Sequence, residues 1–233
     1  MKTTGIICGS NLWRSKGISS IARTPIRTEW GEVEVARKGR VILLQRHGFG
    51  TPLPPHRINH RANIAALEAA GAAEIVSLCS TGSLTTDLAV GDIAVAADIF
   101  CLWRRDTFFE SEAKCSVPSI SGELSARVEN TARLLGEKVH GFSEGVTYIQ
   151  TIGPTFETRA EIRFLSAMNP AVAGMTAAQE VFLACEKNIP IAVLCAVDNM
   201  AHGIGKPLKM EDVLRASAAH APYFEAFVAR MME

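Results

Sequence analysis

"VILLQRHGFGTPLPPHRINHRANIAALEAAGAAEIVSLCSTGSL", residues 41–84, decides the fold. It opens on the apolar run 41–47 and closes on a second such run, 74–80, each short enough for a strand buried on both faces. Between them Ile58, Ala62, Ala65 and Ala69 recur at helical spacing, and Gly71 is a suitable stop for the helix. Strand, helix and strand in succession are the signature of an α/β sheet.

The same alternation continues outward. "DIAVAADIF" (92–100) and "IPIAVLCAVDN" (189–199) read as further buried strands, and Ile6 and Ile7 begin another that breaks at Gly9-Ser10-Asn11. Residues 122–135 place Leu124, Val128, Thr131 and Leu135 on one helical stripe. Residues 210–232 form another helical stretch, with a kink or break expected at Pro222. "TRAE" (158–161) and "TAAQ" (176–179) both fit the capping box that opens a helix. The expectation is an α/β fold in which a central mixed β-sheet is flanked by helices, with residues 1–233 as a single domain.

Composition narrows the partners. The 233 residues are 48% apolar and 21% charged, with 24 basic and 24 acidic side chains, and they contain no basic run, acidic tail or internal repeat. That balance speaks against nucleic acid and membrane surfaces and for a small-molecule ligand. The six cysteines form no C-x-x-C pair, and several sit in apolar runs. Reduced, buried thiols in a cytoplasmic protein without a metal site are expected.

In α/β folds, ligands collect at the carboxyl ends of strands. Here those ends carry Gly9-Ser10-Asn11, Arg46-His47-Gly48, Cys79-Ser80-Thr81-Gly82-Ser83, Met175-Thr176 and Asp198-Asn199. A guanidinium, an imidazole and several hydroxyls suit a tetrahedral oxyanion if the strands are neighbours. No Ser-His-Asp or Cys-His pattern suggests a protein nucleophile.

Three longer stretches carry a resemblance: residues 45–84, "GPTFETRAEI" (153–162) and "VAGMTAAQEVFLACE" (172–186). Their order and spacing resemble the trimeric purine nucleoside phosphorylase and methylthioadenosine phosphorylase family. The resemblance implies phosphorolysis: cleavage of a purine nucleoside by inorganic phosphate, a co-substrate, to free base and a sugar 1-phosphate, with no cofactor. It implies a phosphate site at Ser10, Arg46, His47, Ser80 and Thr176, and ribose contacts at Tyr148 and Met175. It further implies a base site at Phe156, Glu157 and Asn199, with Glu157 and Asn199 as the catalytic pair, and a homo-oligomer, a trimer with a hexamer as the alternative. The chain departs from the family at Cys8 and Asn11, where glycine is usual.

Asn199 and Ala201 occupy the places of the two aspartates of 6-aminopurine members, so the resemblance favours inosine, guanosine or methylthioinosine. An amide at Asn199 can address N7 and O6, and Glu157 can accept the N1–H that a 6-oxopurine carries and adenine lacks. Asp198 keeps an adenine alternative open, and the departure at Asn11 keeps open a hydrolase that uses water. The 5′ end stays open between hydroxyl and methylthio. Trp103, Phe108 and Phe109 are candidates for its pocket, for a subunit interface or for ordinary burial. His56, His60 and His202 are assigned no catalytic role.

Overall fold

The computed structural model describes residues 2–12, 15–103 and 106–233. In chain order the elements are β1 (Thr4–Cys8), α1 (Lys16–Ser19), β2 (Arg23–Thr28), β3 (Gly31–Lys38), β4 (Val41–Gln45), α2 (His60–Ala69), β5 (Glu74–Ser83), β6 (Ile93–Val95), β7 (Asp98–Cys101), α3 (Gly122–Arg133), β8 (Val139–His140), β9 (Thr147–Gln150), α4 (Arg159–Leu165), β10 (Ala171–Gly174), α5 (Ala177–Glu186), β11 (Ile191–Met200), α6 (Met210–Ala219) and α7 (Ala221–Met232). Eleven strands form one mixed sheet with helices on both faces, as expected.

β5 is the hub. It pairs in parallel with β1 on one side and β11 on the other, and its last residues pair antiparallel with β10. Its side chains alternate strictly: Ile75 and Cys79 enter the core beneath α2 and α5, while Val76 and Leu78 enter the core beneath α3 and α7. Because both faces are covered, apolar residues of this strand point to both sides rather than to one. α2 starts where Asn59 accepts from the Ala62 amide, and Gly71, with φ of +88°, ends it.

Two expectations change, at residues 92–100 and at Thr176, while the break expected near Pro222 is found. Residues 92–100 are two strands, because consecutive amides choose different partners: Ala96 N–H donates to Val193 O and Ala97 N–H to Val146 O. The C-terminal stretch is two helices separated at His220, with Pro222 in the first turn of α7, where its missing N–H is harmless. The box at Thr158 forms, with Thr158 and Glu161 capping each other. The one at Thr176 does not: that side chain caps nothing, and Tyr148 takes its place.

Candidate active site

The ends of β1, β4, β5, β10 and β11 converge on a cavity of about 740 Å³. Ser10, Arg46, His47, Ser80, Met175, Thr176, Phe156, Glu157 and Asn199 all line it. Tyr148 is the correction. Its ring is fully buried, and its hydroxyl accepts the Thr176 and Ala177 amides at 3.0 and 3.1 Å. It caps the start of α5 from inside the sheet and does not face the cavity, so the ribose contact implied for it is withdrawn.

Two polar networks lie under the strand ends, one on each face of the sheet. On the α5 face, Arg46 Nε and Nη2 donate to the two carboxylate oxygens of Glu180 at 2.5 and 3.0 Å. Nη2 also donates to Ser77 Oγ at 2.8 Å, and Nη1 donates to the Leu78 carbonyl at 3.0 Å. Ser77 in turn donates to Glu180 at 2.6 Å. Burial opposes charge on both partners, and their attraction reverses that effect: Arg46 is raised and Glu180 lowered, so both are held ionised. Arg46 therefore reaches the cavity with most of its donors committed and its charge balanced. This differs from the free, bidentate guanidinium that the strand-end inventory suggests.

His47 stands next along the chain. Burial first and the Arg46 charge second lower its pKa, which keeps it neutral. Its Nδ1 lies 2.7 Å from the Leu53 carbonyl. A carbonyl only accepts, so Nδ1 carries the hydrogen and Nε2 keeps a lone pair. His60 is buried beside Glu180, its Nδ1 3.8 Å from the carboxylate, and burial lowers its pKa to about 4.

On the opposite face Ser80 donates to Asp198, whose other oxygen lies 2.8 Å from His220 Nδ1. Asp198 is the extra residue of a bulge in β11: Val197 pairs with Thr81 and Asn199 with Gly82, leaving Asp198 without a partner. Burial alone would lower the His220 pKa. The Asp198 carboxylate, helped by a bond to the Gly91 backbone and by the charge of Glu137, raises it instead. Folded His220 therefore holds its proton more tightly than an unfolded histidine. That contribution to stability is complete below the ordinary histidine pKa of about 6.5 and fades as pH rises through the folded value. The gap in unfolding free energy between wild type and His220→Asn, from urea titrations, is expected to narrow above about pH 6.5. A gap constant with pH overturns this.

At the other end of the cavity, His202 Nδ1 lies 3.1 Å from the Glu157 backbone carbonyl and pins the segment that presents the Glu157 carboxyl. Asn199 lies so close over Gly82 that a Cβ there would be 2.8 Å from Asn199 Nδ2. A side chain at position 82 would push the Asn199 amide aside. α6 contributes Met210, Val213 and Leu214 as an apolar wall. Sequence reasoning missed this wall and His202. The helical spacing of the α6 residues identifies an apolar stripe and is silent on whether it faces the core or a ligand. The aromatics proposed for the 5′ end do not line the cavity: Trp103 Nε1 donates to Gln150 O at 3.0 Å, and Phe108 packs on Trp30 at 5.5 Å. Three fully buried thiols stay inert: burial raises Cys8 to about 12 and lifts Cys79 and Cys195 as well.

The profile of the phosphorylase superfamily matches residues 3–233. A probable 6-oxopurine nucleoside phosphorylase of Thermococcus kodakarensis is 34% identical over 220 residues, covering 88% of this chain and 81% of that one. A probable S-methyl-5′-thioinosine phosphorylase of Methanocaldococcus jannaschii is 36% identical over 195 residues, with 81% and 76% covered. An S-methyl-5′-thioadenosine phosphorylase of Hyperthermus butylicus is 35% identical over 222 residues, with 90% and 80% covered. The methylthioadenosine phosphorylase of Schistosoma mansoni, solved with adenine, superposes with a TM-score of 0.82 at 22% identity, covering 100% of this chain and 91% of its own. That likeness concerns the fold. With the profile spanning the chain almost from end to end and the strand ends meeting at one cavity, this chain belongs to the phosphorylase superfamily.

Proposed function

We propose that the protein cleaves 6-oxopurine nucleosides with inorganic phosphate, releasing the base and a ribose 1-phosphate or its 5-methylthio counterpart. The observation that carries this reading is the shared cavity, lined at once by the Glu157–Asn199 pair and by Ser10, His47, Ser80 and Thr176. Glu157 accepts N1–H of the base. The Asn199 amide serves N7 and O6, where negative charge collects as the glycosidic bond breaks. Phosphate on the other face of the sugar stabilises its oxocarbenium character and bonds to C1′. Positioning and electrostatics supply the acceleration, and no covalent enzyme intermediate is needed. The apolar wall of Met210, Val213 and Leu214 favours a methylthio group at the 5′ position over a hydroxyl, and the names of the relatives include both kinds of substrate.

The reading extends to a homotrimer in the cytoplasm. Leu102, Trp103, Ile152 and Phe164, all at least 40% exposed, give a self-association surface its apolar material. Cys8, Cys79, Cys115, Cys185 and Cys195 are free thiols, and among the described residues no helix is long and apolar enough to cross a membrane.

One observation favours a hydrolase instead: the Arg46 charge is already balanced by Glu180. A single assay separates the readings. Inosine, guanosine, adenosine, methylthioinosine and methylthioadenosine are incubated with and without phosphate, and free base and sugar 1-phosphate are followed. Phosphate-dependent release of hypoxanthine or guanine, fastest from methylthioinosine, is expected. Release that ignores phosphate establishes the hydrolase, and cleavage confined to adenine nucleosides overturns the base assignment.

A further inference from the structure

We infer that the anion end of the cavity recognises phosphate through the proton phosphate carries, and so rejects tetrahedral dianions that have none. This deepens the reading above and rests on it for the identity of the anion. Two groups that would ordinarily attract any dianion, Arg46 and His47, are muted. The Arg46 guanidinium is paired with Glu180 and donates to Ser77 and the Leu78 carbonyl, all within the protein. His47 donates its Nδ1 hydrogen to Leu53 and turns an electron pair, not a proton, to its surroundings.

Ser80 points the same way. A serine hydroxyl has one hydrogen, and Ser80 gives it to Asp198, a side chain fully out of solvent and bonded at its other oxygen by His220. What remains at the Ser80 oxygen, on the cavity wall, is lone pairs.

Asn11 is the independent observation. It lines the same cavity, is 7% exposed, and has both its amide nitrogen and its amide oxygen buried without a hydrogen-bond partner among the described residues. A buried amide left open in this way is destabilising unless a ligand completes it. Its two halves ask for one acceptor and one donor on the same ligand. Hydrogen phosphate offers both, with P–O for the Asn11 nitrogen and P–O–H for the Asn11 or Ser80 oxygen. Sulfate and monofluorophosphate, of the same shape and charge, have only acceptors, and their oxygens would meet lone pairs.

The test is calorimetric binding of phosphate, sulfate and monofluorophosphate to the intact protein, at a pH where all three are dianions, alongside phosphate-dependent turnover. Wild type is expected to bind phosphate at least ~100-fold more tightly than sulfate or fluorophosphate, the scale on which a built hydrogen-bonding site rejects an analogue lacking the group. In Asp198→Asn the new amide donates to Ser80 and turns its hydroxyl outward as a donor. The preference should then fall to about tenfold or less. A mere loss of negative charge would strengthen all three dianions alike and leave the ratio where it was. Asn11→Ala, which leaves the Asp198 network intact, should narrow the ratio roughly threefold to tenfold. Equal affinities in wild type, or an unchanged ratio in both variants, overturns the inference while phosphate-dependent turnover still supports the proposed function. Selective phosphate binding without such turnover upholds the inference and overturns the phosphorylase reading.

Discussion

Glu180→Leu is expected to destabilise the fold by about 3–5 kcal/mol, the scale for removing one partner of a buried ion pair. For a chain of this size that corresponds to a fall of roughly 6–20 °C in the melting midpoint. The reason is the company Arg46 keeps. Both side chains of the pair are at most 2% exposed, so the orphaned guanidinium cannot turn to water. Burial already opposes charge at this position, and Glu180 is what offsets it. Ser77 and the Leu78 carbonyl can hold the guanidinium in place without neutralising it. The double variant Arg46→Met with Glu180→Leu should recover most of the loss, because well-packed apolar residues are often as stable as the pair they replace. Urea and thermal unfolding of the two singles and the double decide it. A single-variant loss below about 1 kcal/mol would mean that solvent reaches Arg46, contrary to the geometry.

Glu157→Ala should act on catalysis and leave stability alone. Its side chain makes no hydrogen bond to the described residues; only its backbone carbonyl is engaged, by His202. Removal therefore breaks nothing in the folded protein. The expected result is a fall of roughly 10²–10³-fold in kcat/KM on inosine-type nucleosides, the scale for losing one oriented group at a developing charge. Adenosine lacks N1–H, so its residual rate should hardly change. The ratio of the two specificity constants is the decisive reading, since a general loss of fold or of phosphate binding would lower both together. An unchanged ratio removes Glu157 from the choice of base.

Much of this architecture is legible in the residues because both faces of the sheet are covered. Apolar runs such as 41–47 and 74–80 then stand out without any need for register. The β2–β3 hairpin escapes notice for the opposite reason. Much of it is exposed and charged, with Arg23 and Arg27 facing Glu34 and Glu32 across the strands, so its periodicity carries no apolar signal. Local patterns also lack the information to choose between partners of equal chemistry. "TRAE" and "TAAQ" are the same motif, yet Tyr148 from a distant strand takes over the second helix start while Gln179 accepts from the Asp106 amide. The candidate site residues were gathered by strand ends and by resemblance. What neither could supply was the state of the groups. That Arg46 meets Glu180, 134 positions away, or that Ser80 has given up its hydrogen to Asp198, follows only from the packing of helices onto the sheet.

The irregularity in β11 has a consequence for how the protein could be altered. Because one residue stands outside the ladder there, the proposed function puts adjacent chain positions at opposite ends of the ligand, Asp198 at the oxyanion floor and Asn199 at the heterocycle. A library varied at 199 could retune which purine is accepted while the choice of attacking species stays fixed, and one varied at 198 the reverse. On that proposal, two selectivities that act on one reaction would be written in neighbouring codons and could be edited one at a time.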